Sequence, residues 1–149
     1  MTIKFKTGNI FDTEYFAIVN PVNCVGVMGK GMAKTCRELY SENFKQYRKK
    51  CFTKECHAGD IINSTIEKNK MIINLATKYH WKNKSEIKKI IDGINNLRYF
   101  LITNEIESVA IPALGCGCGE LKWETVKPSI IKNLSDLQIK IEIYEPLQN

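Results

Sequence analysis

Short apolar runs that are typical of strands alternate along this chain with longer segments of helical periodicity. Residues 16–19 read Phe-Ala-Ile-Val and residues 108–111 read Ser-Val-Ala-Ile, and such unbroken runs favour strands that are buried on both faces. Between them, residues 87–101 carry isoleucine and leucine at helical spacing. This alternation predicts an α/β fold with helices on both faces of the sheet.

One predicted hairpin makes the sheet mixed. Two apolar strands flank the turn-like sequence Glu67-Lys68-Asn69, and Ser41 and Ser85 are expected to cap the helices that follow them. The predicted strands cover 3–6, 16–19, 61–66, 71–75, 108–111 and 139–144, and the predicted helical faces cover 32–40, 44–51, 87–101 and 126–134. The predicted fold class is a three-layer α/β/α arrangement around a mixed central sheet.

The length and composition are those of one globular domain. The chain has 149 residues and an apolar fraction of 44%, which predicts a single domain over residues 1–149 with a full core. No run approaches the ~18 apolar residues of a membrane span, and the first residues, Met-Thr-Ile-Lys-Phe-Lys, lack a signal-peptide core. We therefore expect a monomeric, cytoplasmic protein with no membrane association.

Six cysteines could indicate a disulfide framework or a metal site. In a reducing compartment free thiols are the default, and we expect them here. The nearest metal-like spacings are Cys116-x-Cys118 and Cys51 with Cys56-His57, and the sequence contains no Cys-x-x-Cys. Because structural zinc usually takes four ligands from two tight pairs, we expect no metal.

The net charge is +6, from 22 basic and 16 acidic residues. This charge suits a polyanionic partner, although lysine-rich surfaces are often only solvated faces. The basic residues are spread along the chain, and no nucleic-acid signature motif accompanies them. Charge alone therefore favours nucleic acid only weakly.

Two glycine-rich loops follow predicted strands. The first spans residues 20–33 and leads into a helix, and the second reads Pro-Ala-Leu-Gly-Cys-Gly-Cys-Gly-Glu-Leu-Lys-Trp over 112–123. Glycines there let backbone N–H groups converge on an anion, and a helix N-terminus adds its dipole. Gly26 and Gly31 have P-loop spacing, but Met32 stands where Mg²⁺ binding needs Ser or Thr. The alternative is a pair of tight turns without a ligand.

The position of these loops and of one lysine points to a cleft. In α/β sheets ligands bind outside the carboxyl ends of strands, so we expect the two loops to face each other. Lys78 leaves a buried strand and is followed by His80 and Trp81. A strand-end lysine commonly just reaches water, but an amine in a partly desolvated cleft can act as base or nucleophile. The two rings could form a flat wall for a ligand ring.

These features together resemble the macrodomain family, in the branch of the DarG-type antitoxins and the terminal ADP-ribose protein glycohydrolase. The motifs occur in family order over nearly the whole chain, and Gly-Val-Met-Gly-Lys-Gly with Thr-Lys-x-His-Trp is specific to the DarG-type group. The segments that carry the resemblance are 6–10, 18–23, 26–33, 74–81 and 111–117.

The resemblance implies a cleft for ADP-ribose, with neither cofactor nor metal. Asn9 and Ile10 would meet the adenine edge, Asn23 the distal ribose, and the two glycine loops the diphosphate, while Tyr144 would line the adenine end. The full set of implied substrate-binding residues is Asn9, Ile10, Asn20, Asn23, Gly26, Val27, Met28, Gly29, Lys30, Gly31, Met32, Ala33, Thr77, His80, Trp81, Leu114, Gly115, Cys116, Gly117, Cys118, Gly119 and Tyr144.

The resemblance also implies an activity, with Lys78 as the catalytic residue. It would release ADP-ribose from thymine bases of single-stranded DNA and so reverse a DarT-like toxin. Two alternatives stay open: a hydrolase of glutamate-linked ADP-ribose or O-acetyl-ADP-ribose, and a non-catalytic reader. Gly119 stands where the related glycohydrolase has Asp, which favours the DarG-type side. Antitoxins of that type carry a further C-terminal domain, so the chain is either a fragment or a stand-alone hydrolase.

Overall fold

The computed structural model describes residues 3–146. No helix in that range is long and apolar enough to cross a membrane. In chain order the elements are β1 (Ile3–Lys6), a 3₁₀ turn (Ile10–Asp12), β2 (Ala17–Val22), α1 (Gly31–Leu39), α2 (Ser41–Thr53), β3 (Ile61–Glu67), β4 (Lys70–Ala76), α3 (Ile87–Thr103), β5 (Ser108–Pro112), α4 (Trp123–Leu134) and β6 (Lys140–Tyr144).

The strands form one six-stranded sheet in the order β1-β6-β5-β2-β4-β3. Every neighbouring pair is parallel except β3 with β4, which run antiparallel. Lys68 and Asn69 connect these two with φ values of 53° and 65°, as a two-residue type I′ turn requires. The predicted hairpin and the predicted mixed sheet are therefore confirmed.

Helices cover both faces of the sheet. Val19 of β2 points into a core shared with Ile94 of α3 and Ile130 of α4. Its neighbour Ile18 points the other way and packs with Cys36 of α1. Side chains of successive strand residues alternate between faces, so unbroken apolar runs are what a sheet covered on both sides needs. The predicted three-layer α/β/α fold is confirmed.

The predicted serine caps are wrong. Tyr40 and Glu86 occupy the N-cap positions of α2 and α3, and neither helix has a side-chain cap. Ser85 instead donates its backbone N–H to the carbonyl oxygen of Gly119 at 3.0 Å. This bond turns the serine toward the second glycine loop, where its hydroxyl is buried without a hydrogen-bond partner.

The expectation that all cysteines are free is wrong for one pair. Cys24, just after β2, and Cys56, before β3, form a disulfide with their Cα atoms 5.6 Å apart, a usual separation for such a bond. A sequence separation of 32 residues gave no hint of this pairing, because only the sheet brings the two segments together. Among the described residues, no three His, Cys, Asp or Glu side chains are grouped to hold a metal.

A buried asparagine network joins β2, β3, β4 and α2 beneath the first glycine loop. Asn74 Oδ1 accepts from Nδ2 of Asn20 at 3.0 Å and from Nδ2 of Asn43 at 3.3 Å. Asn74 Nδ2 donates to Oδ1 of Asn43 and of Asn63, both at 2.9 Å. In a low-dielectric interior such a network is stabilising only while its members remain paired.

We predict that Asn74→Ala lowers the free energy of unfolding by about 2–4 kcal/mol, because it removes the amide that pairs with Asn20, Asn43 and Asn63. Urea denaturation followed by circular dichroism measures the change. Asn95→Ala is the matched control, since Asn95 is exposed on α3 and alanine favours helix. An Asn74→Ala protein that unfolds at the wild-type midpoint would contradict the role of the network.

Candidate functional site

A cleft of about 710 Å³ opens at the carboxyl ends of β2, β4 and β5. Both glycine-rich loops and Lys78 contribute to it, so the loops face each other as expected. The lining residues are Pro21, Val22, Asn23, Val27, Gly29, Lys30, Gly31, Met32, Ala33, Thr77, Lys78, Trp81, Lys82, Pro112, Ala113, Gly115, Gly117, Cys118 and Gly119.

The Asn23 side chain organises the first loop from within. Its Oδ1 accepts from the N–H of Val25 at 3.0 Å, and its Nδ2 donates to the carbonyl oxygen of Val27 at 2.8 Å. The Tyr47 hydroxyl lies 2.8 Å from the Asn23 carbonyl oxygen and 2.9 Å from Oδ1. Burial raises the pKa of Tyr47, so the phenol remains a proton donor. The loop is therefore pre-shaped by contacts within the protein.

The N-terminus of α1 opens into the cleft. The helix begins at Gly31, whose φ is +57°, and Gly31, Met32 and Ala33 all line the cleft. Lys30 occupies the N-cap position without a side-chain cap, and the first turn contains no acidic residue. The first N–H groups of a helix lack intrahelical partners and favour an anion. An anionic group is the natural ligand for this wall.

The second loop presents bare backbone on the opposite wall. A Cβ built on Gly117 would have no atom within 4 Å, whereas one on Gly119 would overlap the Ser85 hydroxyl and lie 2.5 Å from the Gly115 carbonyl oxygen. Gly119 is therefore required by packing, and an Asp at this position would not fit. The carboxylate of Glu120 turns toward Lys84, 4.0 Å away, and does not line the cleft.

Lys78 bridges from the end of β4 to the second loop. The residue is only 9% exposed, and its Nζ donates to the Cys118 carbonyl oxygen at 3.3 Å. The ion pairs within residues 3–146 do not include it. A Cβ on Gly31 would lie 3.9 Å from Cys118 Sγ, so both loops and the lysine meet at Cys118.

The charged side chains that line the cleft are all positive. Lys30, Lys78 and Lys82 line it, and the described lining includes no Asp or Glu. A concave site with charges of one sign concentrates ligands of the other sign. The cleft is therefore suited to a polyanion that is held by backbone N–H groups and surrounded by amines.

One side of the cleft mouth is aromatic. Trp81 lines it with 45% of its surface exposed. His80 stands behind Trp81 with ring centroids 5.1 Å apart, and its Nδ1 accepts from the N–H of Lys82 at 3.1 Å. Lys82 Nζ in turn lies 5.2 Å from the Trp81 ring centroid. The indole is thus the ring that lines the cleft, and the imidazole packs beside it.

The residues expected at the adenine end lie outside this lining. Asn9 Oδ1 accepts from the N–H of Phe11 at 3.0 Å at the start of the 3₁₀ turn, and Ile10 is buried. The Tyr144 hydroxyl donates to Glu142 Oε2 at 3.1 Å, and burial raises the pKa of this phenol. Tyr144 and Ile10 share a small core with α1.

The remaining predicted residues outside the lining support it from behind. Asn20, Met28 and Leu114 are fully buried, and Gly26 is buried as well. Cys116 packs against the main core, and burial raises the pKa of its thiol to about 11. At neutral pH this thiol is protonated, which fits a packing role better than a nucleophile.

Sequence reasoning missed five lining residues: Pro21, Val22, Lys82, Pro112 and Ala113. Four of them lie where β2 and β5 end. The apolar run suggested that β2 ends at Val19, but the strand continues to Val22, and within it Nδ2 of the buried Asn20 donates to Asn74 Oδ1. The rule that ligands bind at carboxyl ends of strands could have identified the floor of the cleft.

Comparisons with known proteins agree with this geometry. The family model for the Macro domain matches residues 19–130. A DNA ADP-ribosyl glycohydrolase of Mycobacterium tuberculosis is 36% identical over 97% of this chain. Among solved structures, the macrodomain of Thermus aquaticus DarG superimposes with a TM-score of 0.90 at 32% identity, covering 97% of this chain and 98% of that one. Thermosipho africanus DarTG in complex with ADP-ribose gives a TM-score of 0.92 at 31% identity.

These matches cover nearly all of this chain but less than half of the longer relatives. The match to the Thermosipho africanus structure covers 99% of this chain and 42% of that one. The chain likewise spans 42% of the Mycobacterium tuberculosis relative. The fold, the family model and the separately solved macrodomain all match over most of this sequence. The chain therefore belongs to the macrodomain family, as its motifs suggested.

Proposed function

We propose that the cleft binds ADP-ribose. The observation that carries this proposal is the uncapped N-terminus of α1 facing the bare glycine backbone of the second loop. Both walls offer N–H donors to a diphosphate, and the cleft lysines add favourable charge. The distal ribose would then lie beside Lys78, and the Asn9–Ile10 segment would lie toward the adenine. The solved complex of a DarTG protein with ADP-ribose supports this assignment.

We further propose that the protein hydrolyses ADP-ribose from thymine bases in single-stranded DNA. In this reaction the bond between the anomeric carbon of the distal ribose and the base breaks, water supplies a hydroxyl to the ribose, and the base gains a proton. Longer relatives, 32% and 36% identical over nearly the whole of this chain, are named DNA ADP-ribosyl glycohydrolases. Trp81 at the mouth provides a surface against which the departing base can stack.

Lys78 is the side chain best placed to act on this bond. Its amine is buried in the cleft with a single carbonyl partner, so a substrate can replace that weak bond without breaking an ion pair. The amine can attack the anomeric carbon or assist departure of the base. Position 119 of the second loop cannot supply a carboxylate, because Gly119 has no room for a side chain. By this reaction the protein would oppose a DarT-like toxin.

Two alternative functions use the same cleft. A hydrolase of glutamate-linked ADP-ribose or O-acetyl-ADP-ribose would need the diphosphate walls and the lysine, but not an exposed indole at the mouth. A reader that only binds ADP-ribose would need neither Lys78 nor Trp81. The buried amine and the exposed ring together favour the DNA hydrolase.

We predict that Lys78→Ala lowers the rate of ADP-ribose release from a thymidine-modified oligonucleotide by at least about 100-fold, because the buried amine that we place beside the distal ribose is lost. Release is measured by chromatography of the free ADP-ribose. Lys88→Ala is the matched control, since Lys88 is exposed on α3. Wild-type rates from Lys78→Ala would remove the lysine from the mechanism.

The same assay on modified glutamate separates the alternatives. We expect faster release from modified thymidine than from modified glutamate. The reverse order would favour the protein hydrolase. Tight ADP-ribose binding without turnover of either substrate would favour the reader.

We predict that Gly117→Ala weakens ADP-ribose binding about tenfold without lowering stability. The added methyl group meets no protein atom, but it would occupy space that a closely approaching diphosphate needs. Isothermal titration calorimetry gives the affinity, and thermal unfolding gives the stability. An unchanged affinity would show that the backbone at 117 does not approach the ligand.

We predict that Cys116→Ser keeps activity within about threefold of wild type, because a thiol that is protonated at neutral pH is not the nucleophile. The oligonucleotide assay measures it, and treatment of the wild type with iodoacetamide at neutral pH should spare this residue. Loss of activity in a folded Cys116→Ser protein would point to thiol chemistry instead.

A further inference from the structure

Two large aromatic side chains are exposed beside the first glycine loop, outside the cleft. Phe52 of α2 is 66% exposed and Tyr79 is 56% exposed. Neither lines the cleft, so binding of ADP-ribose does not account for them. Exposed aromatic side chains that lie together, rather than singly, mark surfaces that bind a partner.

Both residues border the same short stretch of the loop. The N–H of Cys24 donates to the Tyr79 carbonyl oxygen at 2.7 Å. On the α2 side, a Cβ built on Gly26 would lie 3.5 Å from Cζ of Phe52 and 3.4 Å from Cγ of Arg48. The main chain of Tyr79 and the side chain of Phe52 therefore both lie beside residues 24–26, and Trp81, two residues after Tyr79, lines the cleft.

Cations accompany this series of rings. The Arg48 guanidinium lies 5.4 Å from the Phe52 ring centroid, and Lys82 Nζ lies 5.2 Å from the Trp81 centroid. Exposed Lys45 and Lys49 add charge on α2. Rings interleaved with cations are the usual surface for single-stranded nucleic acid, in which bases stack and phosphates pair with the cations.

We propose that Trp81, Tyr79 and Phe52, which we call the aromatic track, bind the single strand that flanks the modified base. This proposal rests on the proposed function, because a base-linked ADP-ribose in the cleft requires its strand to leave along the mouth. A protein partner is the less suited occupant, since the rings are paired with cations and the chain has a net charge of +6.

Binding of unmodified DNA tests the aromatic track without using the reaction. The probe is a fluorescein-labelled oligothymidine of about 10 nucleotides, followed by fluorescence anisotropy. Phe52→Ala and Tyr79→Ala should each weaken binding about tenfold, and Arg48→Ala should reduce the slope of log K against log salt by about one. Tyr99→Ala is the matched control, because Tyr99 is a 72% exposed tyrosine on α3.

Turnover provides the second readout. With the modified oligonucleotide, Phe52→Ala and Tyr79→Ala should raise KM, whereas hydrolysis of the ADP-ribosylated mononucleoside should be unchanged. The proposal of the aromatic track would be overturned if both variants keep the DNA affinity and the KM of the wild type. It would also be overturned if the variants bind DNA normally and lose only binding to a toxin protein. If the wild type does not turn over the modified oligonucleotide, that result counts against the proposed function. The anisotropy measurement would still show whether the aromatic track binds single-stranded DNA.

Discussion

The cleft depends on the parallel pairing of β2 with β4 on one side and with β5 on the other. Parallel strands end at the same edge, so this pairing brings both glycine loops and Lys78 to one place although they are far apart in sequence. The buried amides of Asn20 and Asn74 stand opposite each other in this register. A shift of one residue would turn them to the other face, which is apolar.

The recognition that we propose for this cleft relies on the backbone more than on side chains. The uncapped first turn of α1 and the glycines of the second loop line the same space, and the contacts of Asn23 and Tyr47 hold the first loop in shape. Donors that are fixed before the ligand arrives lose little entropy on binding. Ser85 fills the space beside Gly119, which explains why position 119 carries no carboxylate.

The sequence predicted most of the architecture, because apolar periodicity reports directly which faces are buried. This periodicity predicted the order of strands and helices. The turn residues predicted the hairpin at Lys68-Asn69, and the rule for the carboxyl ends of strands predicted that the two loops converge. The caps expected at Ser41 and Ser85 and the free thiol expected at Cys24 were wrong, since long-range contacts decide them. Tyr47 and the track residue Phe52 reach the first loop across the fold, so no local pattern marked them. The substrate-binding roles of the cleft residues remain predictions.

The most direct test of the account is a crystal structure of the wild-type protein with ADP-ribose. We predict diphosphate oxygens about 3 Å from N–H groups of residues 31–33 on one wall and of residues 115–119 on the other. The distal ribose should replace the Cys118 carbonyl as the neighbour of Lys78 Nζ. A diphosphate held by lysine side chains away from the α1 N-terminus, or a ligand bound outside the cleft, would contradict the account.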